Sequence, residues 1–299
     1  MIGMWLAVGC DRRWDVTVRW GVAGTGAVAA TALRDLAGVP NAVLTAVGSR
    51  SAERAGAFAA AVGHGQVPTA HGSYRALLDD PNVDVVYIAT PHPHHRALAL
   101  AALAAGKAIL VEKSFTVTPA ATREIVAAAG AAGRFAMEAM WTRFCPAMVR
   151  LRELVADGAI GEVRTVTADL GARNPVDPAT RTFNPELGDG LLFHLGIYPV
   201  SFAQMLLGTP ESVVAHGVLH ESGSTWRSRC CCGSPAGARR CCSPHCVVRP
   251  PGRPGCSAHP AGSGFRPDFT TPTGSCCTVT GTIRRSSRPR SPAPVTPTS

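Results

Sequence analysis

Lysine is almost missing from this 299-residue chain: Lys107 and Lys113 are the only two. Cysteine is scarce in the first 223 residues, where only Cys10 and Cys145 occur, so that part is no disulfide scaffold and reads as cytosolic. Long hydrophobic runs are missing as well. The early apolar stretch Met4–Gly9 is too short to span a bilayer, and it lacks the basic segment and small-residue cleavage site of a secretory signal. Residues 1–15 are therefore read as a ragged N-terminal extension or as the product of a start codon set too early. With 46% hydrophobic and 16% charged residues, the remainder belongs with soluble globular proteins, and a cytoplasmic location is expected.

The formal charge of +9 is unevenly placed. Residues 1–223 hold 18 basic and 19 acidic side chains, whereas residues 224–299 hold 11 arginines, no lysine and the single acid Asp268. Nine of the eleven cysteines and twelve of the 24 prolines share that tail. A nucleic-acid-binding tail would carry lysine and far fewer cysteines, so neither nucleic acid nor membrane is expected as a partner.

From Val16 the chain reads "VTVRWGVAGTGAVAATALRDL", a β-branched run, a glycine cluster and a helical stretch. Gly24, Thr25, Gly26 and Ala29 fit the G-x-G-x-x-[GA] dinucleotide fingerprint. Gly24 makes the tight turn, Gly26 lets backbone approach a pyrophosphate, and Ala29 lets helix pack closely on strand. A second strand, "AVLTAVGSR", ends in Ser49 and Arg50 where NAD-binding proteins place an acid on the ribose. A hydroxyl and a guanidinium there suit a 2′-phosphate, so NADP is the expected cofactor and NAD the lesser one.

Strand and helix patterns continue to alternate through 84–90, 95–106, 108–113 and 134–139, which predicts a parallel sheet covered on both faces. Ligands in such sheets lie beyond the carboxyl ends of the strands. Thr90, Pro91, His92, His94 and His95 follow one strand, and Glu112 and Lys113 end the next. No cysteine or carboxylate joins the histidines at ligand spacing, so no metal is expected, and His92 and His95 are assigned to a substrate pocket. Lys113, at the end of a buried strand, is a candidate for proton transfer.

Four segments together, "GVAGTGAVA", "YIATPHPHHRALALAALAAGKAILVEK", "MEAMWTRFCP" and "GDGLLFHLGIYPVS", resemble the glucose–fructose oxidoreductase / inositol dehydrogenase (Gfo/Idh/MocA) family. Within that family the chain looks most like the branch of dihydrodiol and D-xylose dehydrogenases that use NADP. The resemblance covers about Val16–Gly223. It implies a Rossmann domain over 16–140, an α+β open-sheet domain from 141, and hydride transfer between nicotinamide and a carbinol carbon of a sugar or cyclic diol. It assigns Lys113 and Tyr198 as the acid–base pair and places Thr90, Pro91 and Glu112 at the cofactor. It also places Trp141, Arg143 and His194 near the substrate, and it implies a homodimer. Two departures stand out. Ser114 replaces the proline of the E-K-P motif, which predicts an altered turn. His194 stands where the branch has an aspartate, which predicts the loss of a partner for Lys113.

After Gly223 the amphipathic pattern is expected to stop. In "RCCCGSPAGARRCC" the cysteines are adjacent rather than at zinc spacing, and a disulfide scaffold conflicts with the rest of the chain. The genetic code offers another account: two adjacent cysteine codons read one base upstream must contain a leucine codon. Shifted in this way, with GC-rich choices where the code is degenerate, "RCCCGSPAGARRCCSP" becomes "VLLRFAGGRAALLLA", strand–turn–strand. The expectation is a second domain truncated at 223 and a disordered, frame-shifted tail over 224–299. Function follows as an NADP-dependent oxidoreductase impaired in this chain, its dimerisation doubtful, with a non-catalytic NADP(H)-binding protein as the alternative.

Overall fold

In the computed structural model the described residues are 16–63, 65–163, 165–168, 170, 177, 183–184, 186–188, 190–233, 239–240, 268–270 and 276–278. The extension at 1–15 and most of the tail beyond 233 lie outside them.

Six parallel strands form one sheet: β1 (Val18–Ala23), β2 (Ala42–Gly48), β3 (Thr69–His71), β4 (Val85–Ile88), β5 (Ala108–Glu112) and β6 (Ala136–Ala139). Their order is β3-β2-β1-β4-β5-β6, so the chain reverses its direction of winding between β1 and β4, where such sheets open a ligand crevice. The helices α1 (Ala27–Leu36), α2 (Ala52–Val62), α3 (Tyr74–Leu78), α4 (His95–Ala104) and α5 (Pro119–Ala132) connect them.

The strands are apolar on both faces because both are covered. Val22, Tyr87 and Leu110 pack with Leu33 and Leu36 of α1 on one side. Ala23, Ile88 and Val111 pack with Leu98 and Leu103 of α4 and Ile125 of α5 on the other. Three helices begin on hydroxyl caps, with Ser51, Ser73 and Thr118 accepting from the N–H groups of Arg54, Ala76 and Ala121. Lys107, the lysine outside the proton-transfer assignment, donates to the carbonyls of Asp80 and Val83 and closes the turn before β4.

A second unit follows the short turn Trp141–Phe144: α6 (Pro146–Ala156), a π-helical turn Leu192–Gly196, α7 (Ile197–Leu207), and the antiparallel pair β7 (Ser212–Leu219) and β8 (Thr225–Gly233). Met148, Leu151, Val166, Ala168, Leu170, Leu191 and Phe202 form its core.

One expectation changes here. The pattern was expected to end at Gly223, whereas β8 runs to Gly233 in register with β7, pairing Cys230 with Ala215 and Cys231 with Val214. Upstream, Val166, Ala168 and Leu170 are buried in alternation, and the described residues of 161–170 form no ladder. Cys230 packs against the second core, as a cysteine can in the manner of a small hydrophobe. Short strands also occur at Arg239–Arg240, Asp268–Thr270 and Cys276–Thr278.

Candidate active site

The mouth of the sheet is built at the β1–α1 turn. Gly24 has φ +113°, and a Cβ there would stand 2.7 Å from the carbonyl oxygen of Ala89 at the end of β4. Only glycine fits. Gly26, by contrast, faces open space, with nothing within 4 Å of a Cβ placed on it. It opens α1 with no side-chain cap, leaving the first N–H groups of that helix available to an anion. Ala29 is fully buried against the sheet. At the end of β2, Ser49 is buried and Arg50 exposed just before the Ser51 cap of α2. Thr90, after β4, is 6% exposed, and its Oγ1 is buried with no hydrogen-bond partner in the protein. An open glycine, an uncapped helix start and a buried hydroxyl facing no partner fit a bound dinucleotide.

Lys113 lies at the end of β5 and is 7% exposed. Its Nζ donates to the carbonyl of His194 at 2.6 Å and stands 4.9 Å from the centroid of the Tyr198 ring. The Tyr198 hydroxyl accepts from the indole N–H of Trp141 at 3.1 Å. Lys113, Tyr198, Trp141 and the main chain of His194 thus meet at one place. The predicted loss of a partner at position 194 is answered by main chain: the ammonium finds its acceptor in a carbonyl of the π-helical turn.

Two glutamates stand around Lys113. Glu112 accepts from the buried Tyr87 hydroxyl at 2.5 Å and from the Lys113 amide at 3.2 Å. Burial first, then the Glu112 carboxylate, push the Tyr87 phenol well above its usual range. Glu138, on β6, accepts from the Phe115 amide at 2.9 Å, and burial raises its carboxyl above the usual range. Neither Tyr87 nor Glu138 was singled out from sequence. Each sits within an apolar strand run, and only the register of β4, β5 and β6 brings them beside Lys113.

The two histidines assigned to a substrate pocket are both buried. His95 is fully buried; its Nε2 lies 2.8 Å from the Thr90 carbonyl and its Nδ1 lies 3.0 and 3.2 Å from those of Ser114 and Phe115. His92, 3% exposed, has Nε2 3.0 Å from the Lys113 carbonyl. Both reach main chain because the tight turn after β4 points them down between strand ends rather than outward. Among the described residues no group of three or more His, Cys, Asp or Glu is placed to hold a metal ion. The Lys113–Ser114 peptide is cis, and Ser114 Oγ donates to the Phe193 carbonyl. Arg143 turns to Ser201 and Gln204 of α7, beside a cleft that Thr142, Met148, Tyr198, Phe202 and Met205 line.

Residues 18–140 match the oxidoreductase family with an NAD-binding Rossmann fold, and residues 148–230 match the GFO/IDH/MocA C-terminal domain. The chain belongs to the Gfo/Idh/MocA oxidoreductase family. The second match runs seven residues past the expected seam at Gly223 and ends within β8. Trans-1,2-dihydrobenzene-1,2-diol dehydrogenase of Mus musculus is 42% identical over 212 residues, 70% of this chain and 62% of the relative. The D-xylose 1-dehydrogenase (NADP+) of Hypocrea jecorina is 38% identical over 203 residues, 62% of this chain and 52% of the relative. This member of the family thus spans less than two thirds of the length of either. Among solved structures, aldose–aldose oxidoreductase from Caulobacter crescentus superposes with a TM-score of 0.71 at 28% identity, over 78% of this chain and 72% of that one. KijD10, a 3-ketoreductase from Actinomadura kijaniata in complex with NADP, superposes with a TM-score of 0.69 at 26% identity, over 77% and 70%.

Proposed function

We propose that this chain binds NADP(H) and exchanges hydride with the carbinol carbon of a sugar or cyclic diol, with Lys113 and Tyr198 as the proton-transfer pair. The observation that carries the reading is the Lys113 ammonium held by the His194 carbonyl over the Tyr198 ring, at the same carboxyl edge of the sheet as the open glycine turn. The chemistry that a bound nicotinamide supplies is hydride exchange at its ring. Everything else falls to the protein. Gly24 and Gly26 bring backbone to the pyrophosphate, Ser49 and Arg50 hold the 2′-phosphate, and Thr90 and Pro91 border the nicotinamide half. Tyr198 takes the hydroxyl proton from the substrate as its carbon is oxidised and returns it on reduction. Lys113 favours the charged form of that phenol, and Trp141 donates to its oxygen. Titration of the full chain with NADPH, followed by turnover with aldopentoses, aldohexoses and an aromatic dihydrodiol, tests the reading. Absence of cofactor binding refutes it.

A second reading has its own support. The chain spans 62% of its dihydrodiol dehydrogenase relative, and β7 is exposed along its whole length, with Val213, Val214, Val218 and Leu219 facing solvent. An open apolar sheet face of that extent is one that a further strand or a partner subunit would cover. On this reading the protein holds NADP(H) and turns nothing over, and the composition beyond residue 233 reflects a shifted reading frame. NADPH binding without turnover on any of the three substrate classes supports it.

A further inference from the structure

We infer that His95 is a positioning residue for the proton-transfer lysine: it pins the main chain of the loop that carries Lys113 to the end of β4. The inference rests on the role proposed for Lys113. His95 is 0% exposed and starts α4, wedged between two loops. One ring nitrogen faces Thr90, whose buried hydroxyl belongs to the cofactor side, and the other faces the carbonyls of Ser114 and Phe115. His92 adds to this: its Nε2 accepts from the Ser114 amide at 3.2 Å and lies 3.0 Å from the Lys113 carbonyl, so two histidines of one turn lie against the main chain after β5. From the far side, Lys113 Nζ and Ser114 Oγ reach the carbonyls of His194 and Phe193 in the second unit. The loop is therefore held between a rigid sheet end and the element that carries Tyr198. The contacts of His95 are to main chain, and it acts through the backbone that sets where Nζ stands.

Burial favours the neutral ring, which donates through one nitrogen only, so the question of which nitrogen holds the main chain separates positioning from bulk stability. Asparagine places a donor near the Nδ1 position, toward Ser114 and Phe115, whereas glutamine places one near Nε2, toward Thr90. Since the chain has only Lys107 and Lys113, a full-length protein with 15N-labelled lysine gives two side-chain signals, assigned by Lys107→Arg. His95→Leu is expected to displace the Lys113 signal and leave that of Lys107, and His95→Asn to restore it better than His95→Gln. On the proposed reaction, kcat should fall about 10- to 100-fold in His95→Leu, since small misplacements of a reacting group cost that much. A Lys113 signal that stays in place in His95→Leu, or moves together with that of Lys107, overturns the inference. If the leucine variant does not fold, the asparagine and glutamine variants decide, and equal Lys113 signals in those two overturn it. The spectra need neither cofactor nor turnover, so failure to bind NADPH would strike the proposed function and leave this result standing.

Discussion

Lys113 and Tyr198 are 85 positions apart in sequence and belong to different units, yet the ammonium of the first stands 4.9 Å from the ring centroid of the second. The contact forms because β5 ends where the π-helical turn Leu192–Gly196 presents its carbonyls, and α7 starts one residue later. Lys113→Met and Tyr198→Phe should each lower kcat by about 10²–10⁴ while NADPH affinity changes little, since acid–base groups act in the transition state. Steady-state kinetics with a parallel fluorescence titration measure both.

Cofactor preference should turn on Arg50. Its guanidinium is exposed at the end of β2, free of the constraints of the core, and one charge-assisted contact to a phosphate contributes about 1.5–3 kcal/mol. The unmodified chain is expected to bind NADPH more tightly than NADH, and Arg50→Asp to reverse the order. Equal dissociation constants for the two cofactors in the unmodified chain would remove Ser49 and Arg50 from the account.

The ion pair between Arg19 and Asp84 ties the start of β1 to the start of β4, with contacts of 2.6 and 2.9 Å. The Arg19 side-chain hydrogen bond, more than any other influence, holds the Asp84 carboxyl below its usual range. A carboxyl lowered in the folded state stabilises the protein above its unfolded pKa of about 3.9, and that contribution fades as pH falls through the folded value. Both side chains are 40% exposed, so solvent screens the pair and Asp84→Asn should cost only about 0.2–1 kcal/mol at pH 7. Denaturant unfolding should show the gap between the two proteins closing below about pH 4.

Much of the first unit was legible because its signals are local. The run into Gly24-x-Gly26-x-x-Ala29, and the strands ending at Ser49, Thr90 and Lys113, depend on periodicity and on glycine chemistry. Tyr87 and Glu138 were not legible, since strand pairing alone makes them neighbours of Lys113. His92 and His95 were visible as residues, but sequence shows only that a turn follows β4, and not which main-chain groups their rings meet. The tail misled in another way. Cysteine adjacent to arginine has no familiar pattern, yet Thr225–Gly233 pairs with a β-rich neighbour, because a strand needs a ladder partner more than it needs a favoured composition.

A shifted frame remains testable at the level of the gene. The family match to residue 230 moves the expected break toward the end of β8, so the codons around 220–240 are the ones to sequence. An inserted or deleted base relative to related genes is the expected result. An uninterrupted frame shared by relatives with the same cysteine run would show that the tail is native sequence.

Gly24 and Gly26 give the sharpest separation of fold from function, because they are two residues apart and differ in what surrounds them. At Gly24 a methyl group would meet the Ala89 carbonyl at 2.7 Å in a backbone of φ +113°, so Gly24→Ala should cost about 1–3 kcal/mol of stability whether or not cofactor binds. At Gly26 the backbone is extended, φ −87° and ψ 171°, and nothing lies within 4 Å of the added carbon. Gly26→Ala should therefore unfold within about 0.5 kcal/mol of the unmodified protein, as substitutions away from packed or strained positions usually do. On the proposed reading the space it fills is the one a pyrophosphate needs, so NADPH affinity should fall about tenfold or more, which is 1.4 kcal/mol or beyond. Thermal or urea unfolding and an NADPH titration on the same two variants measure the pair of effects. Unchanged NADPH affinity in a folded Gly26→Ala protein would mean that this turn is an ordinary strand-to-helix connection and that the dinucleotide lies elsewhere or nowhere.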